Sequence, residues 1–211
     1  MKKSALQVGV DVPWVTSWTE EPILGPRPCP ELQGRLAIMQ TENAGYGRPE
    51  YSKNHVDRQR LSVLRMLCPM CGEPTSPDDR VTQVAHAVPA GRLRASGRGD
   101  QLPPAIADDQ VLIDAGSISP LHRACSDRSL KYCPHLKAAD VQIMPFPARW
   151  LTLPLLIEAT LPSPAGHALL TAAPRPRSFA SVTFIQLIGV TGESDPDWGE
   201  NEGRRRRALT A

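Results

Sequence analysis

The sequence predicts an α+β domain of short elements with proline-rich, partly irregular flanks. Three observations carry this. There are 22 prolines in 211 residues, about twice ordinary usage, and prolines break long helices and central strands. The apolar share is a moderate 41 %, and with prolines interrupting it so often one large core is not expected. Between the proline-rich flanks, Cys68-Pro-Met-Cys71-Gly72 is answered by His122-Arg-Ala-Cys125, two donor pairs that could draw the centre of the chain together around one ion.

Taken in order, residues 1–50 hold Pro13, Pro22, Pro26, Pro28, Pro30 and Pro49 with little periodicity, and predict a loosely structured arm. Trp14 and Trp18 could pin it to the body or merely cover a surface patch. Cys29, between two prolines, reads as a free thiol. Residues 51–67 predict a helix, with Val56, Val63, Leu64 and Leu67 on one face and Lys53, Asp57, Arg58 and Arg65 facing water. Val81 to Val88 predicts a strand that Pro89 ends. The stretch from Arg92 to Pro104 reads as a Gly/Arg/Pro-rich loop, and Gln110 to Ile113 as a short strand. Ser119-Pro120 predicts a helix start, Ser as N-cap and Pro at the first turn; Pro134 ends that helix. Two apolar segments, 141–159 and 181–190, could form strands or a short helix. The domain organisation that follows is an arm over 1–50, a metal-centred domain over 51–140, a small C-terminal subdomain over 141–191 and a charged, disordered tail over 192–211.

The central motif carries the chemistry. A Cys-x-x-Cys followed by Gly turns tightly and aims both thiolates at one point. His122 and Cys125, three apart at a helix start, share one face, and a helix N-terminus favours thiolate. Two ligands from a knuckle and two from a helix start is the arrangement of treble-clef-like zinc sites, and three thiolates with one imidazole suit zinc. Cys68, Cys71, His122 and Cys125 are therefore the candidate ligands of a structural Zn²⁺. Cys133 or His135 could replace His122; His122 is preferred because Cys133 can pack inward. The competing readings are that Cys125 and Cys133 are small buried residues with His122 at a helix end, or that Cys68 and Cys71 form a redox pair.

Residues 66–136 resemble a group of uncharacterised actinobacterial and phage proteins with a Cys-x-x-Cys-Gly knuckle, a Pro-x-His-x-x-Cys segment and a Cys-Pro-x-Leu ending, here Cys133-Pro134-His135-Leu136. That resemblance implies no known activity. The same stretch also resembles the HNH endonuclease family. Val84-Ala-His86-Ala-Val-Pro89 is similar to that family's Asp-His-x-x-Pro strand, which implies His86 as general base acting beside a divalent ion. The chain departs from the family pattern at Ala85, where the family has a metal-binding acid, and at Ser126, where its final His would stand.

Net charge is +2, too mild to indicate polyanion binding by itself. Two arginine-rich pieces could track a phosphate backbone: Arg92, Arg94 and Arg98, and Arg204, Arg205, Arg206 and Arg207. Their alternative is a solvated loop and a tail whose preceding acids oppose such binding. No apolar run is long enough for a membrane-spanning helix, and residues after Met1 lack a secretory apolar stretch, so a reducing, cytoplasmic setting is expected. The expectation overall is a non-enzymatic accessory protein that binds DNA, RNA or a nucleic-acid-associated protein, with no membrane association and no small-molecule ligand. A diverged HNH nuclease and a protein-docking module are the alternatives.

Overall fold

The computed structural model describes residues 2–97, 101–133, 136, 141–160 and 178–198. They form an α+β fold, mostly strands. Strands β1 (Thr16–Trp18), β2 (Ile23–Pro28) and β3 (Leu36–Gln40) come first. Then β4 (Pro49–Asn54) leads into helix α1 (Val56–Arg65). Next are β5 (Arg80–Thr82), β6 (His86–Pro89), helix α2 (Ala90–Ala95), β7 (Gln110–Asp114) and β8 (Leu121–His122). Helix α3 (Arg123–Tyr132), β9 (Met144–Pro145), β10 (Arg149–Thr160) and β11 (Ser178–Ser194) complete the order.

The main sheet runs β2-β3-β11-β7-β6, with β10 also paired to β11. β11 lies parallel to β3 at Val182↔Ala37 and antiparallel to β7 over Ile188↔Asp114 to Ser194↔Gln110. Elements from the expected arm, centre and C-terminal segment thus share one sheet, and the arm is part of the folded body. Its prolines sit where they do least harm: Pro26 and Pro28 are on β2, at the sheet edge, where a missing N–H interrupts no ladder on the outer side.

Helix α1 crosses this sheet. Gln59 donates to the Ile185 carbonyl at 2.8 Å and accepts the Ile185 N–H at 3.0 Å, stitching helix to strand. Val63 and Met66 pack with Ala37, Ile113, Val182, Ile185 and Leu187, each large apolar side chain contributing about 1.5–3 kcal/mol on burial. A second core gathers Leu93 of α2 with Leu102, Ile106, Leu112, Leu153 and Ile188.

Several boundaries differ from expectation. Residues 51–54 belong to strand β4, which pairs with β1 through Pro49, Glu50 and Asn54, and α1 starts only after His55, whose Nδ1 accepts the Arg58 N–H at 3.3 Å as an N-cap. The expected strand over Val81 to Val88 is split into β5 and β6, which belong to different sheets. Part of the expected Arg92 loop is helix α2. The later helix begins at Arg123 rather than after Ser119, because Arg80 and Val81 of β5 pair with His122 and Leu121 and hold them extended. The expected disordered tail from 199 onward lies outside the described residues; β11 itself runs to Ser194. No helix among the described residues is long and apolar enough to cross a membrane.

Candidate metal centre

The site is assembled by the chain turning back at α1. Met66 caps the helix in the left-handed conformation, φ 50°, and Leu67 then bridges to Pro74. Between them the knuckle closes on itself: the Cys68 N–H donates to the Glu73 carbonyl and the Gly72 N–H to the Cys68 carbonyl, both at 2.8 Å. Gly72 has φ +84°, and a Cβ there would lie 2.9 Å from the Trp14 ring. Two independent demands therefore fix glycine after the second cysteine, backbone conformation and close approach.

The short sheet β8-β5-β9 brings the start of α3 to the knuckle. Asp79 accepts the Arg123 N–H at 3.0 Å, satisfying a donor that every helix start leaves open. Cys68, Cys71, His122 and Cys125 then converge, with one donor atom from each lying within 4.8 Å of all the others. His122 Nδ1 is 3.4 Å from Cys71 Sγ and 4.0 Å from Cys125 Sγ. Its Nε2 is 3.1 Å from the Pro74 carbonyl oxygen. A carbonyl only accepts, so the ring proton belongs on Nε2 and Nδ1 presents a lone pair to the sulfurs. Cys68 is fully buried and the other three are half-buried, with Val81 and Leu121 packed around them. Burial, with Cys68 and Cys71 alongside, pushes the Cys125 thiol up to about 12; burial likewise raises Cys71. Thiols held protonated by burial release their protons on binding a cation, and the four converging donors could hold a metal ion.

The N-terminal segment covers the knuckle, which the sequence did not announce beyond the two tryptophans. Trp14 and Val15 donate their N–H groups to the carbonyls of Met70 and Pro69 at 2.9 and 3.0 Å, and Arg128 of α3 donates to the Gly9 carbonyl at 3.0 Å. Beside the knuckle lies a largely apolar cleft of about 250 Å³, bordered by Pro13, Val15, Met70, Ile118, Leu121 and Cys133. Cys133 is thus at the cleft and outside the converging donor group; His135 lies outside the described residues.

The other expected site residues are elsewhere. His86 is exposed on β6, its Nε2 4.0 Å from Asp114 Oδ2, in a small pocket of about 210 Å³ that also includes Arg92 and Ser96. Asp114 is buried and accepts from the Gly116 N–H at 2.9 Å and from Gln186 Nε2 at 2.8 Å. Arg94 is engaged by Asp108 and by the carbonyls of Pro103 and Ile106, which anchors the loop after α2. Arg98 and Arg204, Arg205, Arg206 and Arg207 lie outside the described residues.

A second group of metal-type donors, Glu21, Glu42 and His55, was not singled out from sequence. Arg58 occupies its centre. Its guanidinium bonds both Glu21 oxygens at 2.7 and 2.8 Å, Glu42 at 2.5 Å and the Thr16 carbonyl at 2.7 Å. His55 spends Nδ1 on the Arg58 N–H and Nε2 on the Thr41 carbonyl, so no imidazole lone pair remains for an ion. No family model matches the chain, and no curated protein or solved structure matches it.

Proposed function

We propose that this chain is a zinc-stabilised accessory protein, built on a treble-clef-like module, that binds nucleic acid or a nucleic-acid-associated protein. The observation that carries the reading is the convergence of three sulfurs and one imidazole, its Nδ1 toward the sulfurs, from two separate segments. A tetrahedral zinc with bonds of about 2.0–2.3 Å spaces its donors about 3.3–3.8 Å apart; the 3.4 Å between His122 Nδ1 and Cys71 Sγ falls within that spacing and the 4.0 Å to Cys125 Sγ is a little wider. The softness of the donors also favours zinc. With all four positions supplied by protein, the ion is a folding element and offers no place for a reactive water. The apolar cleft beside the knuckle supports a macromolecular partner: its volume suits one apolar side chain better than a cofactor, whose sites run to about 300–1,000 Å³.

Elemental analysis of purified protein tests the metal: one zinc per chain is expected, lost in Cys68→Ser and in His122→Ala. Mobility-shift assays at low salt test the partner; a protein that shifts neither DNA nor RNA removes direct nucleic-acid binding and leaves the protein partner.

The second reading, a diverged HNH nuclease, draws on the exposure of His86 beside Arg92 and Asp114. There His86 would take the proton from an attacking water. Plasmid DNA incubated with Mg²⁺ or Mn²⁺ decides it, since equal cleavage by wild type and His86→Ala eliminates the role.

A further inference from the structure

All five cysteines carry free thiols, but their placement leaves only three within reach of one another. Cys29 is buried in the main core, and Cys133 lies outside the converging donor group. From Cys125 to Cys133 the chain follows α3 for eight residues, a rise of about 12 Å, past the roughly 7 Å between Cα atoms that a disulfide can span. Cys68, Cys71 and Cys125 hold their sulfurs within 4.8 Å of one another, a gap that side-chain rotation with small backbone shifts closes to an S–S bond of about 2.05 Å. Exposure then divides the three. Cys68 is fully buried among Val81 and Leu121, and its sulfur moves only by leaving that packing. Cys71 and Cys125 are half-buried and open to a small reagent from solvent.

We propose that Cys71 and Cys125 are a redox pair, which hydrogen peroxide oxidises to an intramolecular disulfide that dismantles the metal site and takes over its task of joining the knuckle to α3. Only the loss of metal in this scheme rests on the zinc reading. One thiolate attacks a peroxide oxygen and the O–O bond breaks, leaving a sulfenic acid and hydroxide. The second thiolate attacks that sulfur and expels the remaining oxygen as a second hydroxide. Each hydroxide takes a proton from solvent, so two electrons pass from the two sulfurs to the peroxide and two waters result. Cys68 and His122 are left as a pair, too few to hold a structural zinc. A dithiol reductant reverses the step, becoming a disulfide itself, and restores all four donors. The bridge ties residue 71 to residue 125, so the knuckle stays against α3 in the oxidised chain.

Titration of the purified full-length chain with hydrogen peroxide tests this, with thiol count, bound zinc and peptide mapping by mass spectrometry read on the same samples. The thiol count should fall by two from five, zinc should be released in step, and one crosslinked pair, Cys71 with Cys125, should appear. Dithiothreitol with added zinc should reverse all three. The oxidised chain should keep the far-UV ellipticity that a chelated, reduced chain loses. Because ligand variants are expected to unfold, the variant used is Cys133→Ser, outside the donor group, in which the same pair should form. A Cys68–Cys71 bridge, a bridge that includes Cys133, or oxidation to sulfinic acid without any bridge overturns the proposal. A chain that carries no zinc yet forms the Cys71–Cys125 bridge removes the metal reading and upholds the redox pair. Zinc retained with no bridge formed does the reverse.

Discussion

Two clusters of metal-type donors in this molecule, each with a histidine, resolve their charge in opposite ways. Around Arg58, two carboxylates and a histidine gather about a guanidinium that the chain itself supplies. Around the knuckle, three cysteines and a histidine gather with no lysine or arginine bonded to them among the described residues. The first cluster is electrostatically complete as folded. The second has no counter-charge from the chain and could take one from outside as a metal ion, since burial keeps the Cys71 and Cys125 thiols from ionising without one. The difference teaches that convergence of ligand-type residues is not enough to indicate a metal; what matters is whether the chain already provides the counter-charge.

The largest expected effect breaks the second cluster. Structural zinc sites of this kind bind with apparent free energies of about 10–16 kcal/mol, more than the whole stability of an ordinary domain. Cys71→Ser or a strong chelator should therefore unfold the knuckle, the β8-β5-β9 sheet and α3, seen as lost far-UV ellipticity and loss of bound metal. A chelator that leaves the thermal transition unmoved would show that the donor group is not a metal site.

Next comes the cluster with its own cation. Arg58→Met removes the guanidinium and leaves Glu21, which is 3 % exposed, as an uncompensated buried carboxylate. Such a change costs about 3–5 kcal/mol. Pairing it with Glu21→Gln should recover a good part of the loss in a urea titration, since no orphaned charge then remains. Metal content should be untouched by both variants, which separates the clusters experimentally.

What the sequence made legible follows the same division. The knuckle and the His122-Cys125 pair are local patterns, and their spacing alone predicts that the four donors converge, as they do. The Arg58 cluster joins residues 37 apart in the chain, and nothing local marks Glu21 as its partner. Residues 51–54 continue a helical pattern in sequence, yet pairing with β1 overrides it. Ser119 looks like an N-cap, but its hydroxyl donates to the Leu67 carbonyl at 2.7 Å, tying the loop before α3 to the chain entering the knuckle. The β3–β11 pairing joins residues from opposite ends of the chain, and apart from the Trp14 ring over Gly72 the hold of residues 9–15 on the knuckle runs through backbone groups that carry no sequence signal.

A smaller effect sharpens the account of the knuckle. Gly72 and Gly34 have nearly the same backbone conformation, φ +84° and +82°, but a Cβ meets the Trp14 ring at Gly72 and nothing within 4 Å at Gly34. Gly34→Ala should cost about 1 kcal/mol, the strain of the left-handed conformation. Gly72→Ala should cost more, about 2–3 kcal/mol once crowding is added, and should weaken metal retention in a competition with a chromogenic chelator. Equal costs would show that Trp14 does not press on the turn.

The smallest expected effect concerns pH and the Arg58 cluster. Burial by itself would raise the Glu21 carboxyl, but hydrogen bonds from Arg58 and the Asn43 N–H, with the Arg58 charge, outweigh it and hold the group below its ordinary value of 4.5. A carboxyl depressed on folding contributes stability above its unfolded value, and that contribution is lost as pH falls through the folded one. His55 is lowered too, by burial first and then by Arg58. The unfolded chain therefore takes up a proton below about 6.5 that the folded chain refuses, and stability declines from that pH downward. Acid also protonates the metal ligands, so wild type alone confounds three processes. The difference between wild type and Glu21→Gln isolates one of them. In urea titrations it should be constant from pH 7 to 5 and should narrow only below about 4.5. A gap that instead closes near pH 6.5 would assign the linkage to His55, and the pairing of Glu21 with Arg58 would not be what holds the carboxylate ionised.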